Sequence, residues 1–312
     1  MRSRELRCKP RGTKKEAVIE AEEYRSPQEL RDVCLGRKCH FNEKVDYFDS
    51  EVTPDCPHWT GVRTNEEMME RFRDGSEDAK LVSDVKAYAY KAQCQSKDKL
   101  RQPVRRVSGG SVDVPRFMLD IPECMWSMAH RRVNTRIIDM SVDISVVCGT
   151  GGDEYAKAGG SICRVIAKLE KAGYRIRLHA VSNIWCDDYT GPKGNHGVLL
   201  DLMLKREFEP MNFRRVIYAL SDISFFRGIC FGWMVRNPDM PKDCRLGTEI
   251  RRGLVRSHFT HAEIDEVLDQ TYTKLYGHRC VQIVMADLIS QSRSGDGQAE
   301  LEKKIEAQCL GL

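Results

Sequence analysis

From Arg136 to Val147 polar and apolar residues alternate and then give way to a continuous apolar run, the pattern of a strand passing into a buried position. Glu154 to Ala172 follows at helical spacing, with Ile162, Val165, Ile166 and Leu169 on one face and Gly173 as the stop. "YRIRLHAVSNIW" reads as a second strand with one polar-rich half, and the turn-rich "CDDYTGPKGNHG" leads to a third strand, "VLLDLMLK". Helices are predicted at Phe213–Leu220 and at Ile223–Met234, the second ending at Asn237-Pro238. The capping box Thr260–Glu263 opens another helix that stops at Gly277. "CVQIVMADLI" reads as a last strand and "QAELEKKIEAQCL" as a last helix. Strands alternating with helices predict an α/β fold with an open, largely parallel sheet and helices on both faces.

The first third has a different pattern. Residues 1–25 read as a basic arm without ordered structure. Capping boxes at Ser26–Glu29 and Thr64–Glu67 open short helices that stop at Gly36 and Gly75, and a longer helix carries Leu81, Val82, Val85 and Tyr88 on one face. Lys97–Gly110 is a basic polar linker, and its double glycine marks a junction near residue 109. The expected organisation is therefore an arm (1–25), a small helical appendage with linker (26–108) and an α/β domain (109–312).

Composition narrows the class. Of 312 residues, 41% are hydrophobic and 31% charged, ordinary values for a globular protein. No apolar run approaches the roughly 18 residues that span a bilayer, and the first residues lack the apolar core of a secretory signal. The expected location is the cytoplasm, with no membrane partner. The thirteen cysteines include no C-x-x-C pair, so they read as buried thiols in a reducing compartment.

The stretch "CGTGGDE" has the place of a nucleotide loop but not its chemistry. Gly149 and Gly151 fit G-x-G-x-x-G, yet Glu154 takes the third glycine position, and Asp153 adds a second carboxylate where a phosphate would bind. No Walker string occurs. A metal motif of the D-x-S-x-S type would place Cys148, Thr150 and Gly152 as ligands, and a thiol cannot replace a hard carboxylate for Mg²⁺.

Three further sets are candidates. Thr150, Asp153, Asp187, Asp188, His196 and Asp222 are expected near the carboxyl edge, where such sheets bind ligands. Four of Cys34, Cys39, His40, Cys56 and His58 could hold zinc, the one cofactor the sequence suggests; the alternative is incidental thiols in a loop. Arg7, Arg11, Lys14, Lys15, Arg101, Arg105 and Arg106 are candidate phosphate contacts, although a net charge of +4 is small for this length. No catalytic residue is singled out.

Several segments together resemble a family of tailed-phage and mobile-element proteins classed as a domain of unknown function. They are Trp59–Gly61 with the capped helix after it, "DVPRFMLDIPECM" at Asp113–Met125, the strand–turn–helix–strand unit at 143–178, and "SDISFFRGICFGWM" at Ser221–Met234. The chain departs from it at Arg227-Gly228, where the family commonly has two arginines. The resemblance implies an α/β domain akin to a degenerate von Willebrand factor A-type domain, and supplies no activity. Two functional expectations follow: a non-enzymatic phage or mobile-element protein that binds another protein, in the host cytoplasm if phage-encoded, or a nucleic-acid-binding or -processing factor acting non-specifically through its basic segments. A neutral apolar patch favours the first, a continuous basic groove the second.

Overall fold

The chain begins with two strands, not with an arm. In the computed structural model, which describes residues 1–39, 48, 57–91, 101–130, 136–186, 196–238, 240, 250–277 and 280–311, β1 (Arg2–Cys8) and β2 (Ala17–Tyr24) form an antiparallel hairpin. The order continues through α1 (Pro27–Leu35), α2 (Pro57–Thr60), α3 (Asn65–Asp74) and α4 (Ala79–Lys91). A short-strand region follows: β3 (Arg101–Arg106), β4 (Ser111–Val112), α5 (Val114–Met118) and β5 (Met125–His130). Then come β6 (Ile137–Asp143), α6 (Gly152–Lys171), β7 (Arg175–Cys186), β8 (His196–Lys205) and α7 (Phe213–Ser221). A π-helical stretch (Phe225–Cys230) runs into α8 (Phe231–Arg236), followed by α9 (Ile250–Arg256), α10 (His261–Tyr276), β9 (Val281–Val284), α11 (Met285–Arg293) and α12 (Gln298–Leu310).

The main sheet has the order β1-β2-β8-β7-β6-β9. The pairs β2/β8, β6/β7 and β6/β9 are parallel, whereas β1/β2 and β7/β8 are antiparallel. The fold is thus α/β with a mixed, mostly parallel open sheet. One face packs against α1, α3, α4, α6, α7, α8, α11 and α12 around Met140, Val142, Leu178, Leu200 and Trp233. The other face, with Ile19, Val181, Trp185 and Leu199, is covered by α9 and α10.

The expected arm is corrected by its partners. Ala17, Ile19 and Ala21 are fully buried. The intervening Glu22 is buried too, because Tyr24 Oη (2.5 Å), Trp233 Nε1 (2.7 Å) and Arg37 (2.7 and 2.9 Å) all donate to its carboxylate. A buried carboxylate with that many donors is stable where an unpaired one would be costly. The three glutamates of β2 hide its pattern. The helices expected as an appendage also share the main core: Leu30, Cys34, Met68, Phe72 and Val85 are buried in it. The junction near 109 therefore does not separate two cores, and the expected linker contains β3.

Other elements shift for local reasons. The last strand stops at Val284 and "MADLISQSR" becomes α11, since a short apolar run does not distinguish strand from helix. At Gly159 a Cβ would lie 1.8 Å from the Leu220 carbonyl oxygen, so a glycine there permits close packing of α6 on α7. Among the described residues no single helix is long and apolar enough to cross a membrane.

Candidate functional site

The glycine-rich turn is a structural joint. The Gly151 N–H donates to Glu154 Oε2 (2.9 Å), and Arg293 grips both oxygens of Glu154 at 2.7 Å, which holds this carboxyl down at about 2. The start of α6 thus already has its own anion. From beneath, Arg227 donates to the carbonyls of Cys148 (2.9 Å), Thr150 (2.7 Å) and Trp59 (2.7 Å), with its guanidinium 4.9 Å over the Trp59 ring. Burial lowers the Arg227 pKa from its usual value, and three carbonyl dipoles compensate the charge. Arg227 therefore ties Trp59 to the turn, two segments of the resemblance that lie far apart in sequence.

The carboxyl-edge candidates do not assemble into a site. Thr150 is buried under that clamp, and Asp153 is exposed on the first turn of α6. Asp222 accepts from Arg71 Nη1 (3.0 Å) and caps the next segment through the Ser224 N–H (2.9 Å). His196 is buried as the first residue of β8, opposite Cys186. Asp187 and Asp188 lie outside the described residues. Cys34 is buried in the core on α1 and Cys39 is half-buried; His40 and Cys56 lie outside the described residues, as does the side chain of His58. Among the described residues no three His, Cys, Asp or Glu side chains are placed to hold a metal ion.

The basic candidates are largely committed. Arg7 pairs with Glu5 (2.6 Å) and Glu16 (3.4 Å), Arg11 with Glu266 (3.5 Å), and Lys15 with Glu263 (2.9 Å); Lys14 is exposed. The Arg11 and Lys15 pairs stitch the hairpin to α10. That is the physical correction to the free phosphate-binding arm, because Arg7, Arg11 and Lys15 already face carboxylates. Arg101 lies on β3 with its side chain outside the described ones, Arg106 is exposed, and Arg105 is engaged as follows.

A second, three-stranded sheet, ordered β3-β5-β4, contributes none of its described side chains to either core cluster. Its geometry is nevertheless fixed. Arg105 Nε donates to Asp113 Oδ2 (2.9 Å) while the guanidinium lies 4.5 Å over the Trp126 ring. Gly109 passes so close to β5 that a Cβ would meet the Trp126 carbonyl oxygen at 2.2 Å. The N–H groups of Gly110 and Asp113 donate to the carbonyls of Trp126 (2.9 Å) and Cys124 (2.7 Å). On this frame Val107, Val112, Val114, Phe117, Met118 and Leu119 are exposed, Met118 at 77% and Leu119 at 72%. They are six of the eleven exposed large hydrophobic side chains of the described chain. Sequence reasoning noted this segment only as a resemblance; the signal available was an apolar "FML" beside a proline-started turn too short to bury it.

Sequence reasoning also missed a polar row on the sheet face under α10. His179 on β7 and Asp201 on β8 are both buried, with Nδ1 and Oδ1 2.8 Å apart, and the Tyr276 hydroxyl donates to the same oxygen (3.2 Å). Burial and the neighbouring Asp201 raise the Tyr276 phenol well above its usual value. Ser141, the register neighbour of His179, makes no hydrogen bond to it, so no nucleophile–base pair is assembled. At the end of β6, burial pushes the Asp143 carboxyl up to about 6 against the hydrogen bonds from Asn183 Nδ2 (2.6 Å) and the Ser145 N–H (3.0 Å).

These features define an α/β protein with a mixed, mostly parallel sheet and a separate small sheet that displays apolar side chains. The chain belongs to the family described as Domain of unknown function (DUF7192), whose model matches residues 12–273. No curated protein and no solved structure matches the chain. The family match bears on neither a phage origin nor an A-type domain.

Proposed function

We propose that this chain is a binding protein that docks a partner protein on the apolar stretch Val112–Leu119 of its second sheet. The observation that carries this reading is the concentration of exposed apolar side chains there, on a frame fixed by Arg105, Asp113 and Trp126. Apolar surface of this kind marks interaction sites, and a rigid frame lowers the ordering cost of association.

The rim supports a protein as the class of partner. Arg105 is neutralised by Asp113, and among the described residues the exposed or half-exposed Arg106 and Arg116 are matched in number by Asp120 and Glu123. An apolar centre with a mixed polar rim suits a protein surface. Nucleic acid calls for uncompensated basic charge, and an anionic membrane surface for a basic flank. The finer parts of the proposal are an A-type scaffold of phage or mobile-element origin, supported by the resembling segments that Arg227 joins, and action in the cytosol, supported by the free thiols of the described cysteines.

A photoreactive residue placed at 118 tests the reading. In cells it is expected to give one discrete protein adduct, which disappears when Phe117→Ser and Leu119→Ser are added. Adducts only to nucleic acid, flotation of the purified chain with anionic vesicles, or an adduct indifferent to those substitutions would overturn it.

A further inference from the structure

A cavity of about 410 Å³ opens where β2 and β8 end and β7 begins, on the face covered by α10. That volume lies within the range of roughly 300–1,000 Å³ typical of small-molecule sites. His179, Asp201 and Tyr276 line it. Nδ1 of His179 is engaged with Asp201, which leaves its other ring nitrogen, Nε2, to find a partner. That nitrogen is buried and has no hydrogen-bond partner, although only 4% of His179 is exposed. Leaving a buried polar atom unpaired costs about 1–3 kcal/mol. Asp201 receives both of its hydrogen bonds on Oδ1, so its other oxygen is also open to a donor. The inner wall therefore holds unsatisfied hydrogen-bonding groups.

The mouth has the opposite character. Arg2 and Arg25 line it, are exposed, and form no ion pair among the described residues; Arg206 is exposed and meets only Glu209, at 3.7 Å. The carboxylates that could neutralise them are engaged elsewhere, Glu23 with Arg4 (2.6 Å) and Glu207 with Arg177 (3.0 Å). Unspent positive charge outside and unsatisfied hydrogen-bonding groups inside select a polarised ligand.

We infer that this cavity binds a small hydroxylated oxyanion, of the size of a sugar phosphate or sugar acid, with hydroxyls toward Asp201 and His179 and the anionic end at Arg25, Arg206 and Arg2. A planar guanidinium fork suits either phosphate or carboxylate, so the two share one chemistry at the mouth. The inference rests on the cavity alone and is independent of the second sheet.

Ribose 5-phosphate, gluconate, ribose and inorganic phosphate, each added to the full chain, form the test. Binding is read by calorimetry and by the ¹⁵N signal of His179 Nε2. Ribose 5-phosphate or gluconate is expected to bind at least tenfold more tightly than ribose or inorganic phosphate and to move the His179 signal; which of the two binds better distinguishes phosphate from carboxylate. Arg25→Ala with Arg206→Ala should weaken that binding at least tenfold while leaving the melting temperature of the free protein unchanged. Asp201→Asn should weaken it as well, and if that variant does not fold, the arginine pair and the His179 signal decide. Failure of all four probes to bind, binding that leaves His179 unmoved, or equal binding by inorganic phosphate would each overturn the inference.

Discussion

Arg105 and Asp113 hold each other across the β3–β4 turn at 2.9 Å, with the guanidinium stacked on Trp126, and together they brace one side of the small sheet. Asp113 is nearly buried and Arg105 is 44% exposed in its side chain. A half-exposed pair contributes little to global stability, on the order of 0–1 kcal/mol. Asp113→Ala is therefore expected to leave the melting temperature almost unchanged but to speed amide exchange at Gly110 and Asp113, whose N–H groups bond to β5. Unchanged exchange there would show that the turn holds without the pair.

The two adjacent glycines of α6 should respond in opposite directions. Helix propensity alone favours Ala over Gly by about 1 kcal/mol. At Gly160 an added Cβ finds Arg164 Nη1 at 3.4 Å and Leu81 Cδ1 at 3.5 Å, ordinary contacts with side-chain ends. At Gly159 it would meet backbone of α7 at 1.8 Å. Gly160→Ala should be neutral or mildly stabilising, and Gly159→Ala should destabilise by roughly 1–3 kcal/mol or more through overpacking. Denaturant midpoints of the two variants check this, and similar values would contradict the packing.

Two carboxyls give opposite pH dependences. Glu154, lowered to about 2 chiefly by Arg293, contributes stability that is complete above its unfolded value of 4.5 and is lost as pH falls toward 2. Asp143, raised to about 6 by burial, contributes stability that is present below its unfolded value of 3.8 and is lost as pH rises through 6. Carboxyl ¹³C titrations should find these two midpoints, and Arg293→Ala should return Glu154 toward the usual carboxylate range while leaving Asp143 in place.

The strands and helices from residue 137 to the end were mostly legible, because each has a local signature: the apolar run of β6, the capping box at Thr260, the glycine after α6. What stayed hidden depends on partners distant in the chain. Glu22 is tolerable inside the sheet only because Trp233 and Arg37 reach it, and no local pattern announces that. Arg11 and Lys15 looked free until Glu266 and Glu263 of α10 were brought beside them. The same holds for His179 and Asp201, which lie on different strands and meet only through the antiparallel β7/β8 pairing. The segment 113–125 stood out only as part of a resemblance, and the fold alone shows that nothing described covers the apolar side chains of 112–119.

The measurement closest to the central claim is the dissociation constant for the protein captured from position 118, compared between the native chain and the Phe117→Ser, Met118→Ser double variant. Truncating central apolar anchors of an interface typically costs 2 kcal/mol or more, which corresponds to about a thirtyfold loss of affinity. Because these side chains are exposed and belong to neither core cluster, the melting temperature should not move. A thirtyfold or greater loss at constant melting temperature is the predicted result. Equal affinity for both chains would show that the partner docks elsewhere and would contradict the account.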